Sequence, residues 1–100
     1  MQMQMQMRVP ADHPCLSGHF PGQPIVPGVV ILDEVIAAIA DQLGAAPAAL
    51  QLIQIKFLRS LRPEQTATLS LLGDAPTWTF AVHHGEALLA NGRVRLLAPL

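Results

Sequence analysis

Five prolines fall between residues 10 and 27, at Pro10, Pro14, Pro21, Pro24 and Pro27, and they restrict the fold more than any other feature of the chain. Each locks φ and removes a backbone donor, so residues 10 to 28 are closed to helix and to central strand alike. Gly18, Gly22 and Gly28 are interleaved with them, which describes a loop of defined shape rather than a slack tether. Val29 to about Leu43 then runs without proline or glycine, has the length and composition of a helix, and meets a stop at Gly44.

The flanks carry strand periodicity. Met1 to Val9 alternates without a fault, apolar at 1, 3, 5, 7 and 9 and polar between. Beyond a loop at Ala45–Ala49, four further runs alternate: Ile53, Ile55 and Phe57; Ala67, Leu69 and Leu71; Trp78, Phe80 and Val82; and Leu88, Ala90, Val94 and Leu96. Turn signals at Arg62–Pro63–Glu64, Gly73–Asp74–Ala75–Pro76 and His84–Gly85–Glu86 separate them and predict antiparallel hairpins. One strand, a loop, one apolar helix and a four-strand meander make an α+β chain whose helix packs on one sheet face.

Within the helix, Glu34, Ala38 and Asp41 share one stripe, read as the solvated face. Asp33 lies elsewhere, with Val29, Val30, Ile36, Ala37 and Ala40 as its helical neighbours. A carboxylate on an apolar face costs several kcal/mol if buried without a partner, roughly, so its presence calls for a reason.

Composition narrows the classes. A chain of 100 residues is expected to form a single domain, with 51% hydrophobic and only 13% charged residues. That apolar excess predicts burial against another subunit. Net charge is −1, from 6 basic and 7 acidic side chains, so no overall field draws the molecule to nucleic acid or to a membrane. Cys15 has no partner for an internal disulfide, the amino terminus lacks the form of a signal peptide, and the apolar region from Ile25 to Ala40 is too short and too charged for a span. A cytoplasmic setting is the expectation. His13, His83, His84 and Cys15 have no metal-ligand spacing, so no metal site is predicted, and no cofactor motif is present.

Gly18-His19-Phe20-Pro21-Gly22-x-Pro24-Ile25-x-Pro27-Gly28-Val29-x-x-x-Asp33 closely resembles the signature of the 3-hydroxyacyl-acyl-carrier-protein dehydratases of fatty-acid synthesis. A looser match runs on through Lys56-Phe57-Leu58, so the resemblance covers most of the chain. It implies a hotdog fold, an antiparallel sheet of about five strands wrapped around one central helix. It also implies loss of water from a 3-hydroxyacyl thioester, carried on an acyl carrier protein, to give a trans-2-enoyl thioester. The acid is aspartate, as in the dehydratase-isomerase branch, whereas the loop looks more like the dehydratase-only branch. Relatives commonly carry a further segment before the first strand, which bears on the depth of the acyl tunnel.

Such a reaction needs a base for the α-proton, an acid for the departing hydroxyl, and donors for charge on the thioester oxygen. His19 is the natural base, since histidine titrates nearest neutrality. Asp33, if its apolar setting favours the protonated carboxyl, is the proton donor or water-holding acid. Gly28 stands at the helix start with no capping side chain, leaving N–H groups to bind the thioester carbonyl, the role it has by resemblance. Phe20, Pro21, Gly22 and Pro27 shape the loop. The resemblance further implies a homodimer in which His19 and Asp33 meet across the two-fold axis. Lys56, Arg59 and Arg62 gather near one strand end as a candidate carrier-protein contact, with a solvated strand edge as the equal alternative. Thioester hydrolysis and a non-catalytic acyl-binding subunit are the competing functions.

Overall fold

A computed structural model of the chain describes residues 2–10, 25–44 and 49–97. Along it run β1 (Gln2–Arg8), α1 (Gly28–Leu43), β2 (Leu50–Phe57), β3 (Thr66–Asp74), β4 (Thr77–His84) and β5 (Ala87–Leu96). The strands form one antiparallel sheet in the order β1-β3-β4-β5-β2, and α1 packs against one of its faces. The amino-terminal alternation is a strand: Met3, Met5 and Met7 turn to the helix side, opposite Leu71, Leu69 and Ala67 of β3, while the glutamines between them face outward.

The expected four-strand meander is three strands long. β3, β4 and β5 are joined by two-residue turns, but β2 does not pair with β3; it crosses to the far edge and pairs with β5. Alternation states which face a residue takes and is silent about which strand lies alongside. The length of the connection carried the missing signal, because eight residues separate β2 from β3 where a hairpin needs few.

Two bulges shift the expected faces. On β5, Leu89 is inserted between residues paired with Val82 and His83, so that Leu89 and Ala90 are both buried although they are adjacent. On β2, two residues, Gln54 and Ile55, oppose Gly92 alone, and Gln54 takes φ 53°. Ile53 therefore shares the outer face with Arg93, whereas Leu52 before the bulge shares the helix side with Val94. Gly92 makes this possible: a Cβ there would stand 2.5 Å from Ile55 Cδ1 and 2.9 Å from the Phe80 ring.

The core lies between helix and sheet. Val30, Ile31, Val35, Ala38 and Ile39 of α1 meet Leu69, Leu71, Trp78, Phe80, Val82 and Val94, and Trp78 Nε1 donates to Gln42 Oε1 at 2.7 Å, tying the last helical turn to β4. This corrects the helix-face expectation. Ala38 is 1% exposed and Glu34 half-buried; of the expected stripe only Asp41 is exposed, and it continues an exposed stripe of Val29, Asp33 and Ala37. Alanine is too small to mark a face, and Val29 and Ala37 are apolar for a reason other than this chain's own sheet. No helix among the described residues is long and apolar enough to cross a membrane.

Candidate active site

Pro27 ends the loop in extended backbone, φ −61° and ψ 145°, and α1 begins at Gly28 with no side-chain cap. A proline at this position has no N–H to lose and presets the chain direction into the helix. The residues before it are held by Val26 N–H donating to the Leu61 carbonyl at 2.7 Å. On the other side, Leu58 and Arg59 both donate to the carbonyl of the bulged Leu89, at 2.7 and 3.2 Å. These two anchorages leave a groove of about 380 Å³ between residues 25–31 and 57–61, with the first turn of α1 along one wall.

Phe57 lies in a different setting from the one its alternation implies. It reads as a core residue of β2, yet it is 51% exposed and its ring stands over the helix start. A Cβ on Gly28 would lie 2.7 Å from the ring's Cζ, so it is the absence of a Cβ, not an unusual φ, that lets the ring seat this closely. The signal available in the sequence was the pairing of an aromatic in the Lys56-Phe57-Leu58 match with a helix-start glycine, but nothing in one dimension brings the two together.

Asp33 stands on the exposed stripe of α1 between Val29, 59% exposed, and Ala37. Of the apolar neighbours expected for it, Val29 and Ala37 are exposed, Ile36 and Ala40 half-buried and Val30 buried, and Phe57 and Leu58 at the groove are exposed as well. His19, Phe20, Pro21 and Gly22 lie outside the described residues, as do Cys15 and His13. Pro27 is the last residue before α1, and Gly28, read as the end of the loop, is the helix's first residue. Of the three cations expected together, Arg59 lines the groove, Lys56 lines a different depression on the sheet, and Arg62 is exposed in the connection, its N–H donating to Gln65 Oε1. Among the described residues, no group of three or more histidine, cysteine or acidic side chains could hold a metal ion.

The model of the ApeI-like family, described as ApeI dehydratase, matches residues 1–93. The chain belongs to the ApeI-like dehydratase family. It is 34% identical over 76 residues to the 3-hydroxyacyl-acyl-carrier-protein dehydratase FabZ of Oenococcus oeni, covering 69% of this chain and 55% of that one. Over a shorter stretch of 36 residues it is 50% identical to FabZ of Mannheimia succiniciproducens, covering 36% of this chain and 21% of that one. The chain thus spans about half or less of the length of these curated relatives. Among solved structures, the dehydratase heterocomplex ApeI:P of Xenorhabdus doucetiae superimposes with a TM-score of 0.78 at 27% identity, covering 97% of this chain and 88% of that one. The five antiparallel strands and the one helix of the described residues are the hotdog fold of these dehydratases. Family and fold stand as the resemblance implied.

Proposed function

We propose that the chain dehydrates 3-hydroxyacyl thioesters carried on an acyl carrier protein to trans-2-enoyl thioesters. One observation carries the reading: an uncapped helix start at Gly28 forms the wall of an open groove, with the acid-bearing stripe of the same helix facing away from the chain's own core. The first N–H groups of a helix have no i−4 partner and carry the positive end of its dipole; here Val30 N–H donates to the Pro27 carbonyl at 3.0 Å, and the N–H groups of Gly28 and Val29 precede it. A thioester oxygen in the groove would accept from them as negative charge develops on it. His19 takes the α-proton, and Asp33 delivers a proton to the leaving hydroxyl.

The exposed stripe fits a homodimer. β2 is an edge strand with apolar Leu52, Phe57 and Leu58 exposed on or beside it. Pairing of this edge with its own copy would cover the stripe and bring Asp33 of one subunit to the groove of the other. The ApeI:P structure is a heterocomplex, which favours a second arrangement in which the covering chain is a different dehydratase subunit. Native mass spectrometry of the protein alone and with co-expressed hotdog chains separates the two.

The activity is tested by supplying 3-hydroxyacyl-carrier-protein substrates of several chain lengths and following enoyl product and free thiol together. Enoyl formation without thiol release is the expected result. Thiol release would turn the reading to hydrolysis, and neither product, with the acyl carrier protein still bound, to a non-catalytic acyl-binding subunit.

Gly28 provides a second test with opposite effects on fold and activity. Gly28→Ala removes a helix-weakening residue worth about 0.5–1 kcal/mol, and the added methyl meets only an exposed ring that can swing away. Stability in urea should therefore change by less than about 1 kcal/mol. The displaced ring then occupies the groove, and kcat/KM should fall by about 10²-fold, the cost of an ångström-scale misplacement. Unchanged kcat/KM would remove Gly28 and Phe57 from the site.

A further inference from the structure

The outer face of the sheet, on the side away from α1, carries a second depression. Its volume is about 340 Å³ and it lies over the β2 bulge, floored by Ala81 and the Phe80–Gly92 pair of the ladder. Gln54, Lys56, Thr79, Asn91 and Arg93 ring it. Every one of these polar side chains bears a donor hydrogen, and among the described residues no carboxylate lines the depression.

The charge distribution is uneven in a way that the net charge conceals. The register places Lys56 beside Asn91 and puts Arg93 and Arg95 at the next two outward positions of β5, so half of the chain's six cations share one corner of this face. Lys56 and Arg93 are diagonal neighbours, about 7–8 Å apart at the backbone, a spacing at which long side chains interact and like charges repel. Among the described strand residues Asp74 is the carboxylate on this face, and it sits at the far end of the row through Thr77 and Arg95, two strands from Arg95. Among the described residues neither Lys56 nor Arg93 forms an ion pair.

The bulge gives the arrangement its shape. Gln54, held at φ 53°, accepts from Arg93 Nη2 through Oε1 at 2.6 Å, which leaves its own amide NH2 as a further donor and fixes the guanidinium over the rim. A non-glycine residue in the left-handed region costs free energy that the surroundings must offset, and such residues gather at functional sites. From the cavity, the donor ring, the unpaired cations and the bulge that orients one of them, we infer that this depression is an anion site taking a phosphate group, free or as a phosphate ester. A guanidinium held by one side contact and a lysine lining the same depression suit a multiply charged tetrahedral oxyanion better than a monovalent halide.

The inference is independent of the dehydratase reading, because its test measures binding alone. The full chain is titrated with inorganic phosphate and, separately, with 4′-phosphopantetheine, against sodium chloride at matched ionic strength, while the amide resonances of Ala81, Asn91 and Gly92 are followed. Saturable shifts with either phosphate compound and none with chloride are expected; inorganic phosphate alone sufficing identifies the group, and the ester alone identifies a site that reads the attached carbon chain as well. Arg93→Gln and Lys56→Gln should each weaken binding about tenfold, with Arg62→Gln unchanged. Ala81→Leu fills the floor while keeping every cation, and it should abolish saturation in a protein whose circular dichroism is that of the parent. Equal shifts with chloride, or phosphate binding that survives Ala81→Leu, would show diffuse surface charge and overturn the site.

Discussion

His19→Ala is expected to lower the rate of dehydration by about 10²–10⁴-fold, the usual contribution of a positioned general base, and Asp33→Asn to do the same for the acid. Neither change should unfold the protein, since Asp33 is exposed on the open stripe of α1 and contributes nothing to the buried core. The more telling measurement mixes the two inactive variants. If each site draws His19 from one subunit and Asp33 from the other, a mixed dimer rebuilds one intact site and concentrates both lesions in its second site. Random exchange of subunits should then restore about one quarter of the parental activity, half of the dimers being mixed and half of their sites intact. Recovery requires the open stripe of one chain to face the groove of another. A mixture as inactive as its components, after exchange has been confirmed by mass, would place base and acid on the same chain or remove one of them from the reaction.

The largest loss of stability is expected at Trp78. The residue is 1% exposed at the centre of the sheet, paired across the ladder with Gly73 and Val94, and its indole N–H reaches Gln42 in the last turn of α1. Trp78→Ala removes the largest buried side chain and the polar tie between helix and sheet together. A cost of about 3–5 kcal/mol follows from the cavity alone. Against the roughly 5–15 kcal/mol that holds a typical domain together, this leaves the variant near its folding limit. Trp78→Phe refills most of the cavity and should recover all but about 1–2 kcal/mol, the remainder reflecting the lost hydrogen bond and a smaller ring. Urea unfolding with an unchanged slope measures both. A cost below about 1 kcal/mol for the alanine variant would mean that the helix is held to the sheet by its apolar stripe without help from Trp78.

The two bulges show where reading by periodicity stops. Alternation assigned Trp78, Phe80 and Val82, and Ala67, Leu69 and Leu71, to the buried face, and all six are buried. It assigned Ile53 the same face as Ile55 and Phe57, and it set Leu89 apart from Ala90. Both assignments fail at the inserted residue, because one extra position in a two-residue period exchanges the faces beyond it. Gly92, which lets Ile55 cross close above the ladder, was the residue in the chain that could have located the first of these.

The helix stripe failed for a different reason. Asp33 and Glu34 do lie on different faces of the helix, but with their exposure the reverse of the expectation: Asp33 is exposed and Glu34 half-buried. Amphipathicity registers apolar demand without naming what meets it. Val29 and Ala37 remain exposed in the single chain because the sheet meets α1 along Val30, Ile31, Val35, Ala38 and Ile39 instead.

Local chemistry was therefore readable directly from the residue order. An uncapped glycine opens a helix, a run of alternating side chains makes a strand, and Gly44 closes α1 with its N–H on the Ala40 and Asp41 carbonyls. These features depend on φ, on hydrogen bonds within a few residues and on side-chain period, all of which act between near neighbours. The crossing of β2 to the far edge, the seating of Phe57 over Gly28, the open stripe around Asp33 and the outer depression beneath Arg93 depend on contacts between residues far apart in the chain. Such contacts form only when the sheet has closed around the helix, and no local preference specifies them.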